Sequence, residues 1–128
     1  KPAEIKVSAS CHRVNVTDGH LEAVFLETGK QTKPEDVAEA MRSFRGEPQR
    51  LGLPSAPKHP IVVRGEPDRP QPKLDRMEER GMTVVAGRIR RDPVFNGIKY
   101  LVLSHNTVRG AGGNSTLNAE LLKAKGYL

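Results

Sequence analysis

Seven of the ten prolines of this 128-residue chain fall between positions 48 and 72, at Pro48, Pro54, Pro57, Pro60, Pro67, Pro70 and Pro72. Each removes a backbone donor and fixes φ, so no regular interior element is expected to run through the stretch. Residues 46–81 therefore read as irregular, extended chain around one short apolar run, Ile61-Val62-Val63. Such segments line a site, cover an interface or stay mobile, and the sequence leaves all three open. The sheet and helices must come from the two flanking stretches.

On the N-terminal side, residues 4–16 alternate and are rich in Val and Ile, and a second run covers 20–27 after Thr17-Asp18-Gly19. Asp-Gly suits the positive φ of a two-residue turn, so the pattern predicts a β-hairpin closed at Asp18-Gly19. In that register Thr17 faces His20, Asn15 faces Glu22 and Arg13 faces Val24. Alternation then gathers Arg13, Asn15, Thr17, His20, Glu22 and Val24 on one polar face, and Val14, Val16, Leu21, Ala23 and Phe25, with His12, on the other. Next, Thr32-Lys33-Pro34-Glu35 is a capping-box pattern. Val37, Met41 and Phe44 behind it have helical spacing, and Gly46 is placed as a left-handed stop.

On the C-terminal side, 82–90 and 98–104 read as two strands joined across Asp92-Pro93 and Asn96-Gly97. Leu117, Leu121, Ala124 and Leu128 mark a closing helix that Gly126 ends. The whole is a single α+β domain, a mixed and mainly antiparallel sheet with helices on one face. The sheet's other face needs cover, from a further domain or a second copy of the same sheet.

Composition narrows the function classes. Hydrophobic residues make up 36%, charged residues 28% and mean hydropathy is −0.55, as in one globular domain with a lean core. No run approaches the roughly 18 apolar residues of a membrane span, and no signal-peptide pattern opens the chain, so no membrane partner and a cytoplasmic location are expected. Cys11 is the only cysteine, which suits a reducing compartment. Its setting in an apolar strand reads as a structural thiol. With one cysteine and four scattered histidines, no metal site is expected. The net charge of +6 favours anionic partners. Between Arg64 and Arg91, however, the basic residues are interspersed with Glu66, Asp68, Asp75, Glu78 and Glu79, so no uniform stripe forms and no nucleic-acid partner is expected.

Two constellations can carry chemistry. On the polar hairpin face Arg13 can grip a carboxylate bidentately while His20 exchanges a proton, the two lying about 13 Å apart at Cα. A merely solvated strand face would show the same alternation, and a bulge would swing His20 to the other side. In the second, Arg109-Gly110-Ala111-Gly112-Gly113 runs from a strand into a helix. The dinucleotide pattern fails because Ser115 stands where glycine is needed. A tight packing turn is one reading. The other has the exposed amides around Gly110 to Gly113, with Asn106 and Arg109, touching an anionic cofactor held mainly elsewhere.

Four strings, SASCHRVNVTDGHLEAVF, RSFRGEPQRLGLPSAPKHPIVV, EPDRPQPKLDR and LSHNTVRGAGGNSTLNAELL, together resemble the C-terminal part of the aspartate-β-semialdehyde dehydrogenases of the archaeal and fungal branch. The resemblance runs nearly the whole chain in order. It implies a domain like the C-terminal domain of glyceraldehyde-3-phosphate dehydrogenase, forming a homodimer through its sheet face and taking a small anionic substrate and phosphate. The family interconverts aspartate β-semialdehyde, phosphate and NADP with β-aspartyl phosphate and NADPH, on the route to lysine, threonine and methionine. By resemblance His20 in DGHLE is the acid/base that activates a cysteine nucleophile, Arg13 in CHRV binds the substrate carboxylate, and Asn106 in SHNTVRG contacts NADP. The family's nucleophile motif and its GxTGxxG loop are not in these 128 residues. The expectation is thus the dimerisation and substrate-binding part of the enzyme, without its N-terminal NADP-binding Rossmann domain and inactive alone. A non-catalytic self-associating module is the alternative.

Overall fold

The structure is a computed structural model describing residues 14–128. Its elements run β1 (His20–Leu26), α1 (Pro34–Ser43), α2 (Glu47–Arg50), β2 (Ile61–Arg64), α3 (Pro72–Asp75), β3 (Val84–Asp92), β4 (Gly97–Ser104) and α4 (Gly113–Ala124). The strands form one mixed sheet in the order β1-β4-β3-β2. β4 pairs antiparallel with both β1 and β3, while β2 lies parallel to β3. Among the described residues no helix is long and apolar enough to cross a membrane.

The prolines punctuate the 46–81 segment more than they abolish its structure. Pro34, Pro48 and Pro72 stand in the first turns of α1, α2 and α3. An N–H there has no helical acceptor, so its loss is harmless. Pro60 precedes β2, and its carbonyl accepts from the Val84 amide at 3.0 Å. The proline-free run Ile61-Val62-Val63 is thereby led into an edge strand, where the sequence reading had only extended chain.

Two caps expected near α1 are corrected. Lys33, with extended backbone and no side-chain cap, occupies the N-cap position, and the Thr32 hydroxyl instead donates to the Lys30 carbonyl at 3.0 Å. Pro34 fixes the helix start one residue too late for Thr32 to cap it. Gly46 is not a left-handed stop: its φ is −84° and it begins α2, its amide donating to Gln49 Oε1 at 3.0 Å. α1 ends instead where Phe44 turns extended, with the Arg45 guanidinium donating to the Arg42 carbonyl at 2.9 Å and the Phe44 carbonyl at 2.7 Å. A cation at these carbonyls also complements the helix dipole.

The hairpin expected to close at Asp18-Gly19 is not formed by the described residues. Positions 14–19 belong to no strand, and the Val16 amide folds back onto the Val14 carbonyl at 3.0 Å. β1 pairs with β4, with His20 opposite Ser104 and Leu26 opposite Ile98. Thr17 and Asn15 therefore do not face His20 and Glu22. The physical reason is an anchor 87 positions away: the Gly19 amide donates to Asn106 Oδ1 at 2.8 Å, so a long-range contact and not a local turn sets how the chain enters β1. Positions 4–13, Arg13 and Cys11 among them, lie outside the described residues.

Burial concentrates in β3 and β4. Val85, Ala86, Ile98 and Leu103 are each 1% exposed. Burying such a Val, Ile or Leu side chain contributes about 1.5–3 kcal/mol. α1 lies against β2 and β3, its Val37, Ala40, Met41 and Phe44 lining an open apolar groove with Ile61. α4 packs Leu117 on Leu53 and Met82 and is tied down by Glu120, which accepts from the Ser55 amide (2.9 Å) and hydroxyl (2.7 Å). Gly126, at φ +75°, ends α4 as the sequence suggests.

Among the interspersed charges of 64–79 is a buried cluster. Asp75 has no exposed surface and accepts from Arg64 Nε at 3.2 Å, Arg69 Nε at 2.7 Å and the Gln71 amide at 2.7 Å. Burial alone would push its carboxyl up. The hydrogen bond from Arg69, the Gln71 amide and the charges of Arg69 and Arg64 outweigh that and hold it below the ordinary carboxylate range. Arg64 also pairs with Glu78. Two of the basic residues counted toward the +6 charge, both half-buried, are thus paired with this carboxylate.

Candidate active site at the start of β1

Gly19 is buried at φ +103°, and a Cβ there would come within 3.1 Å of Leu103 Cδ1 and 3.6 Å of the Arg76 and Pro72 Cβ atoms. The backbone angle demands glycine, and the space would admit a Cβ only if the end of Leu103 gave way. Its N–H can only donate, so the Asn106 oxygen must be the atom turned toward it, which fixes the orientation of that side-chain amide. The Nδ2 of Asn106 makes no hydrogen bond among the described residues.

His20 is the next residue, the first of β1, and it is solvent-exposed. It stands opposite Ser104, two positions before Asn106 at the end of β4. Alternation places Glu22 and Val24 on its side of the strand, as expected from the sequence. Val24 opposes Tyr100, whose hydroxyl is pushed up by burial and by the nearby Glu22 charge, which keeps the phenol protonated.

His105, between Ser104 and Asn106, turns inward and is 4% exposed. Its Nδ1 accepts from the Val108 amide at 3.4 Å and lies 3.3 Å from the Thr107 hydroxyl, so this ring is a structural acceptor.

The glycine run resolves as a packing turn. Val108–Gly112 forms a wide helical turn leading into α4. The Gly110 amide donates to the His105 carbonyl at 2.9 Å and the Gly112 amide to the Thr107 carbonyl at 3.0 Å, so two of the amides expected to be exposed are already spent. A Cβ on Gly113 would come within 2.5 Å of Met82 Sδ.

Of the three sequence-derived site residues, the structure brings His20 and Asn106 together through Gly19. Arg13 lies outside the described residues, and the shared face once derived from the hairpin register has no support among them. Gly19 itself escaped the sequence reading. Following aspartate, it reads as half of a turn, and no local pattern announces a partner 87 positions on.

Among the described residues the site is an exposed histidine at the head of an outer strand of a four-stranded mixed sheet. The family described as semialdehyde dehydrogenase, dimerisation domain, matches residues 1–109, and the chain belongs to it. Aspartate-semialdehyde dehydrogenase of Methanothermobacter thermautotrophicus is 58% identical over 123 residues, covering 95% of this chain and 35% of that protein. The crystal structure of aspartate semialdehyde dehydrogenase with NADP from Candida albicans superposes with a TM-score of 0.78 at 44% identity, over 88% of this chain and 32% of that one. A third relative, malonyl CoA reductase (NADP) of Metallosphaera sedula, is 44% identical over 128 residues, or 98% of this chain and 35% of that protein. The chain thus spans about a third of the length of the curated relatives it matches.

Proposed function

We propose that this chain is the dimerisation and substrate-binding part of an NADP-dependent aspartate-semialdehyde dehydrogenase acting in amino-acid biosynthesis in the cytoplasm. The observation that carries the reading is the 58% identity over 95% of the chain to an enzyme of that name. The anchored exposed histidine at the head of β1 fits it. His20 is the acid/base: an imidazole accepts a proton from an attacking thiol and returns one to the leaving oxygen. Arg13 binds the substrate carboxylate, for which a guanidinium offers two parallel donors.

The residues present fit NADP at its margin. Among the described residues Asn106 has an amide donor without a partner, whereas the Gly110 and Gly112 amides are committed to carbonyls. NADP supplies hydride transfer when bound, and among the described residues this chain offers it a point contact. Asn106 is that contact.

The partner is a second copy of the chain, seated on the sheet face that carries Leu21 and Phe25. These are 45% and 57% exposed, and Phe25 meets Phe95 edge to face at 6.4 Å. Apolar exposure of this kind in a dimerisation domain is expected to be covered by its twin.

A second reading follows from the third relative, whose name gives a thioester-reducing activity to a protein alike over 98% of this chain. Assaying the full-length protein separates the two. NADP reduction with aspartate β-semialdehyde and phosphate supports the dehydrogenase, and NADPH oxidation with malonyl-CoA alone replaces it.

A further inference from the structure

We infer that Asn106 is the positioning residue for His20, and that the same side chain couples cofactor binding to where the acid/base ring stands. The inference rests on His20 being the acid/base proposed above. Before His20, positions 14–19 belong to no strand, so the hydrogen bond from the Gly19 amide to Asn106 Oδ1 is a tether at the point where the chain enters the sheet. Glycine reaches positive and negative φ about equally well, so an untethered Gly19 would let the head of β1 rotate away from φ +103°. Leu103, Pro72 and Arg76 close around the Cα of Gly19 but leave its amide to Asn106. The first residue to move with that rotation is His20.

The amide of Asn106 is planar and bifunctional. Its oxygen is committed to Gly19, and its nitrogen is free among the described residues to donate to a carbonyl-type acceptor on the cofactor. A ligand that engages the nitrogen holds the plane still and so stiffens the tether on the other side. By linkage, a firmly tethered Gly19 in turn presents a better-ordered donor to the cofactor.

The test uses the full-length enzyme with two variants. Asn106→Asp keeps an acceptor for the Gly19 amide and removes the donor, while Asn106→Ala removes both. The alanine variant is expected to lose about 10- to 100-fold in kcat, the scale of a misplaced catalytic group. It should also exchange amide hydrogens faster in the peptide spanning Gly19 and His20. The aspartate variant is expected to keep slow exchange there and to exceed the alanine variant in kcat, while binding NADP no more tightly than the alanine variant in a direct Kd titration. NADP should slow exchange in the parent but not in the aspartate variant. Parental exchange at Gly19 in Asn106→Ala, or an aspartate variant no better than alanine in kcat, overturns the positioning role. NADP leaving parental exchange unchanged overturns the coupling. A parallel His20→Ala variant with unimpaired turnover would instead remove the acid/base reading beneath both.

Discussion

Leu103 and Leu21 face each other across the β1–β4 ladder, yet Leu103 is 1% exposed and Leu21 is 45% exposed. One step across the sheet separates a finished half from an open one. On the finished side, α1 packs on β2 and β3, and the 65–81 crossover brings Arg69 and Pro70 against Gly87 of β3. On the open side, β1 has no fully buried side chain, and Phe25 is more than half exposed. The proposed catalytic histidine sits on the open strand, where a reacting group can reach solvent and another surface. Its backbone is fixed by the ladder to β4 and the Asn106 tether. Burial and the proposed catalytic group are thus divided between neighbouring strands.

That division can be broken from either side. The largest effect on stability is expected at Asp75: Asp75→Ala leaves Arg64 and Arg69 without their shared carboxylate and should cost about 3–5 kcal/mol, read as a lower melting temperature. The sign with pH follows from its depressed folded pKa. Its stabilisation is present above the unfolded value of about 4 and lost as pH falls through the folded value. The acid limb of the stability profile should flatten in the variant. Gly113→Ala, also on the closed side, forces a methyl against Met82 and should cost about 1–3 kcal/mol. The smallest effect belongs to the open strand. Phe25→Glu should change the stability of the protomer by no more than about 0.5 kcal/mol yet convert the dimer to monomer in sedimentation, since exposed positions tolerate charge and apolar interfaces do not. A large loss of protomer stability from Phe25→Glu would mean that β1 belongs to the core.

What the sequence made legible follows the same boundary. The β3–β4 hairpin was readable from Val and Ile runs flanking Asp92-Pro93 and Asn96-Gly97, and α4 from Leu117 and Leu121, because local periodicity and turn chemistry suffice there. β2 was not, since the surrounding prolines outweighed three apolar residues whose pairing with β3 needs a crossover. The Asp75 cluster was hidden because interspersed charge reads as solvated surface, and periodicity does not report burial. At the site, His20 and Asn106 were recognisable from the strings around them. The hairpin register pairing Thr17 with His20 and Asn15 with Glu22 is not formed, and the Gly19 amide is claimed instead by a residue far along the chain, while Arg13 lies outside the described residues. A hydrogen bond spanning 87 positions, which no local signal carries, sets how Gly19 leads into His20.

The most direct test of the central claim is turnover of His20→Ala in the full-length enzyme with aspartate β-semialdehyde, phosphate and NADP. Loss of a general acid/base from an exposed strand head predicts a fall in kcat of about 100- to 10,000-fold with a nearly unchanged melting temperature. Turnover close to that of the parent would contradict the account.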